Sequence, residues 1–403
     1  LVSRIDFARN PLHPARAEAD RLERSTRRSD TIAASVIRRR YALPVMDHLV
    51  IDEASMIPAT DLATILEWAS AQDITVTLVG DHKQLHAIGP SSLFPQFHAD
   101  RPGVELTENL RQQTDTGREC AACLRDGDAE SALLALADTG QLLVVASQVE
   151  AERTLVTAWA DKAAQAHDPL DRVATCAIET QRNDQVDILN ALARQTARER
   201  GWITGPDTTY TDRGTTVTYA AGDQVIVTRN IRRPDGSTLA NGTRGIVWRT
   251  EPDRVLIATR DETGRLHTDH LNRRQAVRSA RHGYALTTHK LQGQTVRSLV
   301  IDVGPDRDLS STYVALTRHR DDVLAVINIA DIATGPDIER LIAAGPDARR
   351  DAVIAMTAAA IQQRGFSTAP TAHDALGQHL STDVRTAPGL AVPRAYGPDQ
   401  HLT

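Results

Sequence analysis

Two apolar runs that end in polar loops constrain this chain more than anything else in it. Val45 to Ile51 is apolar in character and leads into Asp52-Glu53-Ala54-Ser55, and Ile74 to Val79 leads into Gly80-Asp81-His82-Lys83-Gln84-Leu85. Between them, Asp61 to Ala71 repeats apolar residues at helical spacing through Leu62, Ile65, Leu66 and Ala69. Short β-branched runs bounded in this way read as buried parallel strands that feed loops at one edge of a sheet. Strand, helix and strand in succession predict an α/β domain with a parallel sheet.

A chain of 403 residues is too long for one ordinary core, so two or more domains are expected. Ala15 to Leu22 and Thr31 to Val36 predict short helices ahead of the first strand. Residues 117–170 read as helical, with Ala and Leu spaced by three and four; Arg172 to Ile178 reads as a strand and Asp184 to Arg200 as a helix. Over 208–282 the character changes. Val, Thr and Ile alternate there, and turn signals recur at Asp235-Gly236, Asn241-Gly242 and Thr263-Gly264, which predicts a small β-barrel inserted into a second α/β domain. Ser298 to Val303 and Val323 to Ile329 return to buried-strand character. A helix over Ala352 to Gln362 and a flexible Pro/Gly/Thr-rich tail complete the expectation.

Composition excludes some classes. No run approaches the 18 or so apolar residues of a membrane span, and Leu1-Val2-Ser3-Arg4-Ile5-Asp6 has no apolar signal core, so neither membrane insertion nor secretion is expected. Three cysteines, an odd and small number, suit a reducing cytoplasm. Cys120 and Cys123 have a redox or half-zinc spacing, but no second pair completes a zinc site, and two ordinary buried thiols on a helix are expected. The formal charge of −6 argues mildly against a nucleic-acid binder. A local basic groove is compatible with that overall charge.

The motifs carry specific chemistry. Phosphoryl transfer needs Mg²⁺ beside the β- and γ-phosphates and an acid that orients water; Asp52 suits the metal and Glu53 the base. An acid pair at a strand end is by itself a common surface feature, and the Gly80-Asp81-x-x-Gln84-Leu85 loop that follows decides between the readings. Gln84 offers an uncharged amide to the γ-phosphate and the attacking water. Arg111, in Asn109-Leu-Arg-Gln112, and Arg318, in Ala315-Leu-Thr-Arg318, suit the charge that spreads over the γ-phosphoryl group. Among 43 arginines their neighbours single them out. In Thr287-x-His289-Lys290-x-Gln292-Gly293, Thr287, His289 and Lys290 can donate to a nucleic-acid backbone, and Gly293 allows a phosphate or ribose close to the main chain. The barrel, with Gly222 to Asn230 and Asn241 to Gly245, is a DNA-contacting surface or a purely structural module. One part is missing: no Gly-x-x-x-x-Gly-Lys-Ser/Thr run occurs, and none of the three lysines follows a glycine.

These residues resemble superfamily 1 DNA helicases, specifically the RecD/TraI type found in the helicase half of conjugative relaxases of the MobF/TraA kind. Asp52 to Ser55 looks like motif II, Gly80 to Leu85 like motif III, Asn109 to Gln112 like motif IV, Thr287 to Thr295 like motif V and Tyr313 to Arg318 like motif VI. The resemblance implies two RecA-like domains of the P-loop NTPase class. Residues 1–115 would be the first, incomplete and without the phosphate loop; 116–207 and 283–331 would form the second; 208–282 would be an SH3-like barrel, and 332–403 a helix and tail. It further implies ATP and Mg²⁺ as cofactors and 5′-to-3′ movement on single-stranded DNA. Asp52, Glu53, Gln84, Arg111, Gly293 and Arg318 would face the nucleotide. Pro14 to Leu22 and Thr31-Ile32 are similar to the stretch just after the phosphate loop in such proteins, which predicts a truncated or split chain, inactive alone, whose partners include an upstream relaxase or phosphate-loop segment and conjugation machinery. The alternative is a non-catalytic DNA-binding accessory protein derived from a helicase; a small-molecule NTPase leaves motif V and the barrel without a purpose.

Overall fold

The computed structural model describes residues 1–10, 13–24, 27–43, 45–85, 92–101, 103–233, 235–261 and 263–366. They fall into two compact units. One takes in the described parts of Leu1–His82 and His86–Pro102, the other those of Lys83–Leu85 and Gly103–Ser367. The tail expected to be flexible lies almost wholly outside the described residues.

In the first unit, β1 (His48–Ile51) and β2 (Thr75–Leu78) pair in parallel, His48 opposite Thr75 and Ile51 opposite Leu78. The helix Ala59–Ala71 connects them and buries Leu62, Ile65, Trp68 and Ala69 against Ile51, Ile74, Ile5 and Phe94. The α/β alternation expected here is present. The strand β1 is not buried on both faces, however: Ile51 is 9% exposed but Val50 is 61% exposed, because the apolar cluster lies to one side of a two-stranded sheet. The predicted N-terminal helices occur as Pro14–Glu23 and Arg28–Tyr41, and Pro14 supplies the first-turn proline that such a start favours.

The second unit holds β3 (Leu142–Val145), β4 (Cys176–Thr180), β5 (Thr204–Asp212), β6 (Thr215–Ala221), β7 (Gln224–Val227), β8 (Ile231–Arg232), β9 (Thr238–Leu239), β10 (Arg244–Glu251), β11 (Arg254–Arg260), β12 (Leu266–Asn272), β13 (Ala280–His282), β14 (Ala285–Thr287), β15 (Val296–Asp302) and β16 (His319–Asn328). Five of these form a parallel sheet in the order β14-β4-β15-β16-β3. Its inner strands are buried on both faces, and their residues alternate between two cores. Leu299 and Ile301, with Ala325 and Ile327, face the helices Asp115–Arg125, Ala129–Asp138 and Pro346–Arg364. Val300 and Val326 face Gln148–Ala163 and Asn183–Glu199, around the fully buried Trp159.

Between β4 and its parallel neighbour β14 the chain makes a helix and then the whole antiparallel insert, whose main sheet runs β12-β11-β10-β7-β13. The insert has its own core of Tyr210, Tyr219, Val225, Val247, Ile257 and Leu271. At its entry Gly222 (φ +96°) leaves no room for a side chain, since a Cβ would stand 2.1 Å from the Trp202 carbonyl oxygen.

Three further expectations need correction. The stretch 117–170 is not continuously helical, because Leu142-Leu-Val-Val145 forms the edge strand β3. Its four apolar residues continue the Leu/Ala spacing, but Gly140 at φ +71° ends the preceding helix. The strand expected over Arg172 to Ile178 begins only at Cys176. Pro169–Thr175 is a helix, capped by the Asp168 side chain on the Asp171 amide with proline in its first turn, a start signal in the sequence that outweighs the β-branched run. Of the two thiols expected to be buried, Cys120 is buried and Cys123 only half-buried. Burial pushes the Cys120 thiol up to about 12. Among the described residues no helix is long and apolar enough to cross a membrane.

Candidate nucleotide and nucleic-acid sites

The first unit presents Asp52 and Glu53 directly after β1. Main-chain hydrogen bonds from Val79 to Ile51 (2.8 Å) and from Ala54 to Val79 (2.9 Å) tie this loop to the end of β2. Glu53 adopts the left-handed conformation (φ 51°, ψ 42°) and its amide donates to Asp52 Oδ1 at 2.8 Å. A non-glycine residue held there is uncommon and costs of order 1 kcal/mol or more, which local structure must offset. A side chain at Gly80 would crowd the loop, since a Cβ would sit 3.2 Å from both the Ala54 nitrogen and the Phe94 ring and a neighbour would have to give by a few tenths of an ångström. Beside Glu53 the Ser55 hydroxyl is fully buried and has no hydrogen-bond partner among the described residues. Asp52 is exposed. An exposed carboxylate at a strand end fits Mg²⁺, which commonly binds one or two carboxylates and completes its shell with water and phosphate oxygens.

Gln84, Arg111 and Arg318 come together in the second unit. Arg318 is 1% exposed; its Nε donates to the Val314 carbonyl at 3.0 Å and its Nη2 to Gln84 Oε1 at 3.4 Å. Arg111 donates to the Thr317 carbonyl at 3.1 Å. Asn109 sets the bend that aims it, accepting from the Arg111 amide at 3.1 Å. Gln112 sits at the centre of this group without having been singled out in sequence. It is 2% exposed, and its amide nitrogen bridges the Thr317 and His319 carbonyls at 2.9 and 2.8 Å. Its adjacency to Arg111 was the available signal. Gln84, Arg111 and Gln112 thus meet the turn that ends the helix Leu309–Leu316 and carries Arg318.

Thr287, His289, Lys290 and Gly293 lie at the end of β14 and around the helix Thr288–Leu291. A buried ionic network holds that helix. Glu179 and Arg307, both 0% exposed, pair with each other; Thr288 Oγ1 donates to Glu179, and Arg307 Nε donates to the Asp302 carbonyl at 3.0 Å. Burial raises the Glu179 carboxyl, and the Arg307 charge opposes that rise. Sequence reading missed this pair, because nothing local links positions so far apart.

His289 and Lys290 open onto a cavity of about 590 Å³ whose other wall is the Thr228 and Asn241–Thr243 part of the insert. Gln294 Nε2 bridges to the Gly242 carbonyl at 3.2 Å. Gly293, expected among the nucleotide contacts, lines this cavity at φ +75° with open space around it. Gln292 also lines it, and both polar atoms of its buried amide are without partners among the described residues. Desolvation by the walls lowers the pKa of His289, and of Lys290 too, where the charge of Arg281 adds to it. A recess with one lysine, one histidine and an unengaged amide is suited to a sugar-phosphate chain.

A family model described as an AAA domain matches residues 10–147. The chain is 29% identical over 302 residues to a conjugal transfer protein TraA of Agrobacterium fabrum, covering 73% of this chain and 26% of that protein. It is 30% identical over 306 residues to a conjugal transfer protein TraA of Rhizobium radiobacter, with the same coverage. The chain therefore spans about a quarter of the length of these curated relatives. Among solved structures, a Pif1 helicase from Bacteroides in complex with ADP-AlF3 and ssDNA aligns with a TM-score of 0.45 at 18% identity, over 73% of this chain and 75% of that one. A Pif1 helicase from Candida albicans aligns with the same score at 16% identity, over 85% and 84%.

Proposed function

We propose that this chain, which resembles the superfamily 1 helicases of the conjugal-transfer TraA type, is the motor part of a DNA-processing protein, coupling ATP hydrolysis to 5′-to-3′ movement on single-stranded DNA. The observation that carries this reading is the convergence of Gln84, Arg111 and Arg318 on one turn. An amide and two guanidiniums so grouped can sense a γ-phosphate and stabilise the charge that spreads over it during transfer, an effect worth roughly 10³–10⁵ in rate where an arginine supplies it. Glu53 is the base that orients water, and Asp52 the carboxylate that would hold Mg²⁺. The ion, when bound, would neutralise phosphate charge. Thr287, His289 and Lys290 are the contacts to the DNA backbone, with Gln292 as an additional donor.

The domain assignment belongs to the same proposal: RecA-like motor parts over 1–115 and over 116–207 with 283–331, and an SH3-like insert over 208–282. The upstream relaxase or phosphate-loop segment and the conjugation machinery are the partners this reading implies.

These 403 residues contain no phosphate loop, so the nest of amides and the lysine that cradle β- and γ-phosphates are not supplied by this chain. We therefore expect the chain alone to bind single-stranded DNA without turning over ATP. The same omission favours the second reading, a DNA-binding accessory protein that keeps the track and has lost the motor. Hydrolysis should be followed with and without single-stranded DNA, beside Glu53→Gln. DNA-stimulated turnover that vanishes in the variant supports a motor whose phosphate site is built differently. No turnover with DNA bound fits either reading, and restoration of turnover by an added phosphate-loop segment selects the motor. A chain that binds no single-stranded DNA at low salt overturns both.

A further inference from the structure

A second cavity, of about 330 Å³, lies on the insert and is lined by Arg229, Asn272, Arg274, Gln275, Arg278 and Ser279. Arg278 is neutralised by Asp212. The Arg229 and Arg274 side chains are exposed and make no hydrogen bond or ion pair among the described residues. The cavity therefore carries two uncompensated guanidiniums.

Two further observations give it direction. Thr228 and Arg229 are consecutive, yet Thr228 lines the cavity of His289 and Lys290 while Arg229 lines this one. One stretch of backbone is thus the shared wall, and the Thr228 amide fastens it by donating to the Ser279 carbonyl at 2.9 Å. The insert is also charged against the trend of the chain. Residues 204–282 hold thirteen arginines and nine acidic residues, a net of +4, within a chain of −6.

We propose that the arginine cavity is a second phosphate subsite, which takes the sugar-phosphate backbone of a single strand as it leaves the His289–Lys290 cavity. Arg229 and Arg274 present paired N–H donors to phosphate oxygens, while Asn272 adds a neutral polar side chain. The proposal rests on the DNA-binding reading above and extends it to a separate set of residues.

The test is the salt dependence of affinity for an oligothymidine of about 20 nucleotides, long enough to pass both cavities on the usual site sizes of small β-modules. Each phosphate contact contributes about 0.7 to the slope of log K against log salt for a single strand, so the double variant Arg229→Gln/Arg274→Gln should lower the slope by about 1.4. Its affinity at low salt should fall roughly tenfold or more. Arg213→Gln/Arg265→Gln removes the same charge from exposed positions of the insert outside the cavity and should leave the slope unchanged. Arg229→Lys/Arg274→Lys should restore most of the slope. Equal losses in the two glutamine pairs would reduce the effect to overall charge and overturn the proposal. An unchanged slope in Arg229→Gln/Arg274→Gln, with weakened binding in Lys290→Ala, overturns it while the His289–Lys290 site stands. Absence of binding by the unaltered chain overturns both.

Discussion

At the scale of single residues, chemistry and neighbourhood decide which side chains matter. Arg111 and Arg318 were legible among 43 arginines only through their neighbours, and the structure puts both on the Thr317–Arg318 turn. His319, next in the chain, was not legible. It is 1% exposed, and burial lowers its pKa to about 4, with the charges of Arg111 and Lys162 adding to the drop and Asp322 opposing it. Because the folded-state value lies below the ordinary value of 6.5, the native state favours the neutral ring. Its contribution to stability is complete above about pH 6.5 and is lost as pH falls towards 4, since the unfolded chain takes up the proton first. The shift corresponds to about 3 kcal/mol. Urea unfolding measured between pH 7 and pH 4 should show this loss, and His319→Asn should flatten the dependence in that window. An equally steep dependence in the variant would remove His319 as its source.

At the scale of elements, the strands and helices that sequence reveals are those with uninterrupted periodicity. The helix Asn183–Glu199 and the strands β15 and β16 were legible, whereas β3 was not: its Leu-Leu-Val-Val run fits a helix or an edge strand equally, and only its pairing with β16 selects the strand. The alternation of β15 between two cores makes the parallel sheet the spine of the second unit. Trp159, on the helix Gln148–Ala163, is 0% exposed and meets Tyr284 and Trp202 edge-on at centroid distances of 5.4 and 5.7 Å. Trp159→Ala should cost about 3–5 kcal/mol through the cavity it leaves, read as a lowered midpoint in thermal or urea unfolding. A loss below about 1 kcal/mol would mean that the helix repacks and that this core is not tightly fitted.

At the scale of the whole chain, the distribution of charge matters more than its sum. A net charge of −6 gives no hint of a polyanion partner, yet the insert is positive and its arginine cavity is lined by Arg229 and Arg274, which have no ion pair among the described residues. With Lys290, Arg229 and Arg274 as contacts, about three phosphates are engaged and the salt slope should be near 2. Raising salt from about 50 to 200 mM should then weaken single-stranded DNA binding roughly tenfold or more. Binding insensitive to salt over that range would show that the cations do not touch phosphate.

The sequence by itself determined the strand–helix alternation, the change of character over 208–282, and the short motifs proposed to serve phosphoryl transfer. Each of these is a local property, written in hydrophobic period, turn residues and short motifs. Only the tertiary structure decided which of those residues share a site. Gln84 meets Arg318 across 234 positions and Glu179 meets Arg307 across 128, contacts between distant parts of the chain that no local pattern encodes. The same holds for the two cavities that share the Thr228–Arg229 wall. Their existence depends on where the crossover between β4 and β14 carries the insert.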